Sequence, residues 1–501
     1  MIDRRTLIQA LAVGSGSLSY GPLIRQAFGQ TGKRQLSFLD RDSYLHGMTL
    51  HGVFREHALG RMQMQMFAEG NRRLFFTDTH VLDVSAPLTP KLVNSGAWEG
   101  GGPGREPTLA YNERIQKWIL IVGENAPGAG NKYLYRSRVE RSLNYRGLRG
   151  VRIYDASDPE NIELLSKWSV DQGDPEREIQ TGEGCFRIFY DGGRYAYLNA
   201  GPDNSFTRME HPGRHYTRCL QIIDIEDPLS PKFVSNCWVP GQKEGEDEQY
   251  REWPEFNDQA SWTSANSRFY VPRRVEDGGQ LCFGTWGALG FRIHDVSDPE
   301  NPRHVATFRT EEGAGSIDFY NCDLSWLNRN LVVAHSEMIT PDCNASVQLP
   351  WVLDISDPTA PTGLSRLPLP EPPPEAPYSD FCEKRGRFGP RYTPPLVAPG
   401  RVDRNLSCVT YFNGGLQCFD IEDPRRPVRV AYFVPPQAGE LEDQESFLRS
   451  TEGVFVEWDR RLIWVGTDTG LYLLSSPHLG EPVLEPMPVS EWTLPQANRV
   501  A

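Results

Sequence analysis

Six times along this 501-residue chain, a strand-like run ends in Asp, passes through a proline-bearing turn and resumes as another strand-like run. The copies are VLDVSAPLTPKLV (81–93), VRIYDASDPENIELL (151–165), LQIIDIEDPLSPKFV (220–234), FRIHDVSDPENPRHV (291–305), WVLDISDPTAPTGL (351–364) and LQCFDIEDPRRPVRV (416–430), with a degraded seventh, LYLLSSPHLGEPVL, at 471–484. Their anchors, Asp83, Asp155, Asp224, Asp295, Asp354, Asp420 and Ser475, are separated by between 55 (420 to 475) and 72 (83 to 155) residues. Self-similarity on that period means an array of one supersecondary unit, not several unrelated domains. Alternating apolar residues give each strand one buried face, the Asp accepts hydrogen bonds from the turn backbone, and proline fixes φ and ends the strand. A further strand-turn-strand pair precedes each anchor, as in Cys185–Tyr190, Asp191-Gly192-Gly193 and Arg194–Leu198. Four strands per unit and seven units predict an all-β fold, a seven-bladed β-propeller of four-stranded antiparallel blades.

The D-[VI]-S-D-P-x-x-P units resemble the LVIVD repeat, and the resemblance covers roughly residues 61–485. It implies a seven-bladed propeller. It implies no activity, because that family has no single shared reaction whose residues can be carried over, so function is argued from sites placed on the fold. Composition agrees with a packed protein: 39% hydrophobic and 24% charged residues exclude a disordered chain. No apolar run approaches the roughly 20 residues a membrane-spanning helix needs, so no transmembrane segment is expected. With 52 Lys+Arg against 66 Asp+Glu, a net charge of −14, nucleic acid is not an expected partner.

The string Asp3-Arg4-Arg5-Thr6-Leu7-Ile8-Gln9, followed by a Gly/Ser-diluted apolar stretch and small residues at Ala27 and Gly29, resembles a twin-arginine export signal. The expected division is a signal at 1–29, an N-terminal extension at 30–60, the propeller at 61–490 and a tail at 491–501, with a periplasmic or secreted destination. The last repeat would close the ring against an N-terminal segment or against 482–489. Nine cysteines in an oxidising compartment leave at least one unpaired within the chain. Cys408 and Cys418 flank the turn Phe412-Asn413-Gly414-Gly415, where one register would pair them directly, although directly paired cross-strand bridges are uncommon.

With the strands of each blade lettered a to d from inside to outside, the a–b and c–d turns are short. Insertions fall between b and c (123–148, 201–218, 335–350) and between d and the next a (98–107, 238–258, 366–400). These two connections open on the same face, which is therefore the expected functional face.

Acidic residues recur where inner strands start on that face: Glu106, Glu183 in GEG, Asp258 in FNDQ, Asp318 in SIDF and Glu452 in TEG. A ring of carboxylates there would hold a hard cation such as Ca²⁺, or supply an acid and a base; the plainer alternative is that they satisfy backbone N–H groups at strand starts. Glu183, Glu452, Asp258 and His51 are the candidates for acid–base work. Among the histidines, His46, His51 and His335 are best placed, but no set of four inner-strand histidines for an iron site and no close-spaced His/Cys pair for zinc is present. The segment 378–395 carries Lys384, Arg385, Arg387 and Arg391 among Tyr378, Phe388 and Tyr392, a composition suited to an anionic or phenolic ligand. Arg387, Arg391, Tyr392, Glu106, Asp318 and His335 are the expected ligand contacts. The charge-dense stretch 242–258 is expected as a solvated cap, with Trp253 and Phe256 packing over the channel. Three readings follow: an exported propeller acting on a small organic molecule by acid–base chemistry without a redox cofactor, a non-catalytic binding propeller of the cell envelope, and a metal-dependent lactonase-like hydrolase.

Overall fold

A computed structural model describes residues 40–55, 64–77, 80–95, 107–126, 145–171, 174–176, 180–206, 218–253, 268–310, 317–338, 342–344, 347–384, 386–437 and 451–493. The chain is a seven-bladed β-propeller: six four-stranded antiparallel sheets and one sheet of three strands, Leu281–Thr285, Phe291–Asp295 and Arg303–Phe308. This last sheet, blade 4, is completed inside by the single pair Tyr270–Phe283.

The repeated Asp-Pro turn does two physical jobs. Each anchor carboxylate accepts the N–H two residues on, at 2.9 Å for Asp83, 3.0 Å for Asp155, 2.8 Å for Asp224, 2.9 Å for Asp295, 2.8 Å for Asp354 and 2.8 Å for Asp420. The turn also locks blade to blade. The outer-strand serines Ser166, Ser235 and Ser365 donate to the carbonyls of Pro228, Pro299 and Pro424 in the next blade's turn at 2.6, 2.6 and 2.7 Å.

Residues 30–60, expected outside the ring, supply two of its strands. Thr49–Phe54 is the outer strand of blade 7, paired with Gly470–Ser475 in the register Thr49–Ser475 to Phe54–Leu471. Tyr44–His46 pairs with Val428–Val434 at the rim of blade 6. The N-terminal segment therefore closes the ring, not 482–489, which lies apart from this sheet. The C-terminal stretch instead covers the short-turn face, where Gly400 N–H donates to Glu491 O and Thr493 N–H to Ala398 O.

At the junction of blades 7 and 1, on the same face, Arg73 forks onto Asp459 at 2.9 and 2.7 Å and reaches Glu457 at 2.6 Å. Arg460 also grips Glu457, at 2.9 and 2.6 Å, and donates to the carbonyls of Val84 and Ser85, while Trp464 donates its indole N–H to Glu457 at 2.7 Å.

The central channel is filled. The inner stretch of blade 6 pairs with its neighbour through Phe388–Phe412 and through the main chains of Arg391, Tyr392 and Thr410. Pro394 and Pro395 then offer no N–H to continue the ladder. Pro395, Leu396 and Val397 turn inward to meet Gln65, Thr108, Phe189, Arg268 and Tyr270, leaving a void of only about 10 Å³. On the long-loop face, beyond these residues, the ends of the inner strands surround the axis as the rim of a cup.

One disulfide joins Cys343 to Cys382, and the other seven cysteines are reduced and buried. Cys408 and Cys418 do oppose each other in register, as thiols with sulfurs 3.0 Å apart.

Candidate functional site

Irregularities in the inner strands of alternate blades build the mouth of the cup. In blade 3 the pairing slips between Cys185 and Arg187, in blade 5 between Ile317 and Asn321, and in blade 7 between Thr451 and Gly453. The unpaired residues of these bulges include Phe186, Tyr320 and Glu452. Bulges re-aim side chains, and these meet.

Arg187 and Arg391 both donate to the Tyr320 hydroxyl, and Arg187 also donates to Tyr392 Oη at 2.6 Å. Arg391 pairs with Glu337 at 2.7 Å and with Glu452 at 3.3 Å, and Arg387 reaches the same Glu337 oxygen at 3.0 Å. On the other flank Glu183 takes two hydrogen bonds from Arg218, at 2.9 and 2.5 Å, and the Arg218 guanidinium lies 4.0 Å from the Phe186 ring centre. Phe186 in turn lies 4.9 Å from the Arg187 guanidinium. A continuous belt of guanidinium, phenol and carboxylate therefore lines the mouth. Among the described residues of its core, the guanidiniums of Arg387 and Arg391 share the Glu337 carboxylate, and Arg391 also reaches Glu452.

His335 faces this core from the end of Leu331–Glu337. Its Nδ1 lies 3.0 Å from the Ser336 carbonyl, which can only accept, so Nδ1 carries the hydrogen and Nε2 a lone pair. Burial, with the charges of Arg391 and Arg187, outweighs that hydrogen bond and pushes the imidazole down to about 4, so the ring is neutral at neutral pH. Arg391 is the reverse case: burial opposes its charge, but Glu337 and Glu452 overcome the penalty and hold it well above the ordinary value. His335 Nε2, Glu452 Oε1, Arg391 Nε and Asn321 Oδ1 are buried and have no hydrogen-bond partner. Buried polar atoms are rarely left so, because each costs about 1–3 kcal/mol.

Of the residues singled out from sequence, Glu183, Glu452, Arg387, Arg391, Tyr392 and His335 all lie in this belt. His51 does not: it sits on the outer strand of blade 7, 2.7 Å from Ser475 Oγ. Glu106 and Asp258 lie outside the described residues, as does the side chain of Asp318. Of the five carboxylates, the two whose side chains are described, Glu183 and Glu452, are each engaged by a guanidinium, and among the described residues no three His, Cys, Asp or Glu side chains gather around one point. Lys384 turns inward, to Asn413 O at 3.2 Å and Asp40 at 4.0 Å. Trp253 packs on its own loop, donating to Pro240 O at 2.8 Å, and Phe256 lies outside the described residues. Sequence reading missed Arg187, Arg218, Tyr320 and Glu337. The bulge signals GEG, SIDF and TEG mark where their partners lie, but the pairing of residues 133 apart (Arg187 and Tyr320) has no local trace.

No protein-family model matches the chain, and no curated protein matches it. Among solved structures, the crystal structure of Chaetomium thermophilum Raptor aligns with a TM-score of 0.46 at 10% identity, over 87% of this chain and 30% of that one. A chain of the crystal structure of the mitotic checkpoint complex aligns with a TM-score of 0.41 at 8% identity, over 89% of this chain and 94% of that one. This chain therefore spans under a third of the Raptor chain, and neither likeness says anything about its activity or partners. Among the described residues no helix is long and apolar enough to cross a membrane.

Proposed function

We propose that the chain is an exported propeller protein with repeats of the LVIVD type, which binds a small anionic or phenolic organic molecule at the long-loop mouth and acts on it by acid–base chemistry without a redox cofactor. The observation that carries this reading is the pair of open acceptors, His335 Nε2 and Glu452 Oε1, buried beside Arg391. A ligand oxygen would take the Arg391 Nε–H, and a ligand hydroxyl would donate to His335 Nε2. Moving that proton onto His335 leaves an oxyanion on the ligand, which the guanidiniums of Arg391 and Arg187 would stabilise without reorganising. A second reading, binding without turnover, is favoured by one specific observation: Glu183 and Glu452 are each held by an arginine, an arrangement that suits acceptors and not proton donors.

The test is calorimetric titration with 4-hydroxybenzoate, and with benzoate and phenol as its halves, into the full protein and its His335→Gln and Glu452→Gln variants. The hydroxybenzoate should bind more tightly than either half, and His335→Gln should reduce it to the affinity of benzoate. An absorbance spectrum of the bound hydroxybenzoate shifted to that of its phenolate reports proton transfer and favours the acid–base reading; the unshifted spectrum of the neutral phenol favours the binding protein. Failure of all three probes to bind, or unchanged affinity in both variants, overturns the ligand class. Export is tested separately by replacing Arg4 and Arg5 with Lys, which should hold the precursor in the cytoplasm.

A further inference from the structure

Blade 4 carries a second cluster of polar groups, which shares no residue with the mouth. Arg292 stands three residues before the anchor Asp295, where blade 2 has Arg152 before Asp155. In blade 2 that arginine is neutralised by Glu124. The registers superpose: Val122 opposes Arg152 and Gly284 opposes Arg292, so the position of Glu124 falls, two residues on, to Trp286. The residue before the anchor, Tyr154, Ile223, Leu353 and Phe419 in blades 2, 3, 5 and 6, is His294 here.

The three side chains lie together. The Arg292 guanidinium is 5.9 Å from the Trp286 ring centre, and the Trp286 and His294 rings are 5.0 Å apart. Trp286 and His294 are completely buried, and Arg292 Nε, Trp286 Nε1 and His294 Nδ1 have no hydrogen-bond partner. The first two atoms can only donate, and the third donates in one tautomer. The groups acting electrostatically on Arg292 are Cys237 of blade 3 and another cation, Arg309; those acting on His294 are Arg292 and His304. No described carboxylate is among them, in a protein of net charge −14. Burial pushes Arg292 down to about 10 and His294 well below the ordinary histidine value. Half-buried Thr307 opposes Arg292 on the outer strand, and its hydroxyl lies 2.8 Å from Nε2 of exposed His304.

We propose that this cluster, on the side of blade 4 that faces Cys237 of blade 3, is an oxyanion site, in which Arg292 holds the carboxylate or phosphate group of a small ligand and the Trp286 and His294 N–H groups complete the donor set. A guanidinium fork matches both groups, and an anion supplies the charge that Glu124 supplies in blade 2. A purely structural role would be served by the apolar residues that most other blades place beside the anchor.

The experiment follows thermal unfolding and calorimetric binding of the full protein with inorganic phosphate and with acetate, against sodium chloride at matched ionic strength. At least one of the two anions should raise the midpoint beyond chloride, and whichever does so names the ligand group. Arg292→Met should abolish the response, and Arg292→Lys and His294→Leu should each weaken affinity by about tenfold, as expected for one lost charge-assisted hydrogen bond. His51→Gln, on the outer strand of blade 7, should leave it intact. If neither anion outperforms chloride on the wild-type protein, or if the response survives in Arg292→Met, the site is refuted; because wild-type binding is read directly, poor folding of a variant does not shield the proposal.

Discussion

The junction of blades 7 and 1 and the mouth of the cup are both built from buried arginines and glutamates, yet they are finished differently. At the junction two guanidiniums (Arg73, Arg460) meet two carboxylates (Glu457, Asp459), and every buried polar atom of the four has a partner. At the mouth His335, Glu452, Arg391 and Asn321 keep open atoms. A closed network of this kind holds a seam together, whereas an open one costs stability and suits a site that completes itself with a ligand. Satisfaction, more than burial or charge, separates the junction from the mouth.

The sharpest way to break this contrast is Glu457→Gln. It leaves Arg73 and Arg460 short of a buried partner and should cost about 3–5 kcal/mol in denaturant unfolding. Burial opposes the Glu457 charge, but Arg460 and Arg73 outweigh it and hold the carboxyl below its ordinary range. Its contribution is therefore complete above the unfolded value and is lost as pH falls through the folded one, so the variant should show a flatter acid limb than the wild type. Next in size, replacing Cys343 and Cys382 by Ser opens the staple that ties the loop before Arg387 and Arg391; about 2–4 kcal/mol should go, together with 4-hydroxybenzoate affinity. Ser235→Ala removes one inter-blade clasp and should cost about 1 kcal/mol, with Ser166→Ala and Ser365→Ala equal to it if the clasps are true repeats. The smallest effect is expected of His335→Gln, within about 1 kcal/mol at neutral pH. Its signature lies in acid. Between pH 6.5 and about 4 the unfolded chain takes up a proton that folded His335 refuses, so wild-type stability should fall relative to the variant across that window. A large loss at neutral pH would mean that the mouth is as structural as the junction.

The blades were legible because the Asp-Pro turn is a local device: its hydrogen bonds span two residues, and its prolines mark it in sequence. Closure by an N-terminal segment was one of two alternatives the sequence left open, but the strands themselves were not marked, because Tyr44–His46 and Thr49–Phe54 find their partners about 400 positions away and carry no anchor of their own. The inner edge of blade 6 was hidden for another reason, since Pro394 and Pro395 read as loop punctuation. At the mouth, Glu183 and Glu452 stood out as carboxylates at strand starts and Arg391 as a cation in an acidic chain. That Arg391 is already paired could not be read, because Glu337 and Glu452 come from two other blades. Its removal should accordingly cost stability, in addition to any effect on a ligand.

The closure by residues 44–54 has a mechanical consequence. Both strands lie at the outer edges of their sheets, and the chain runs from one directly into the other, so a tension applied ahead of Asp40 would load their ladders as a zipper, one hydrogen bond at a time. Blades 6 and 7 would be stripped in that order while blades 1 to 5 still held their shape. Under load, the most persistent ring-forming contact in sequence separation is the first to yield.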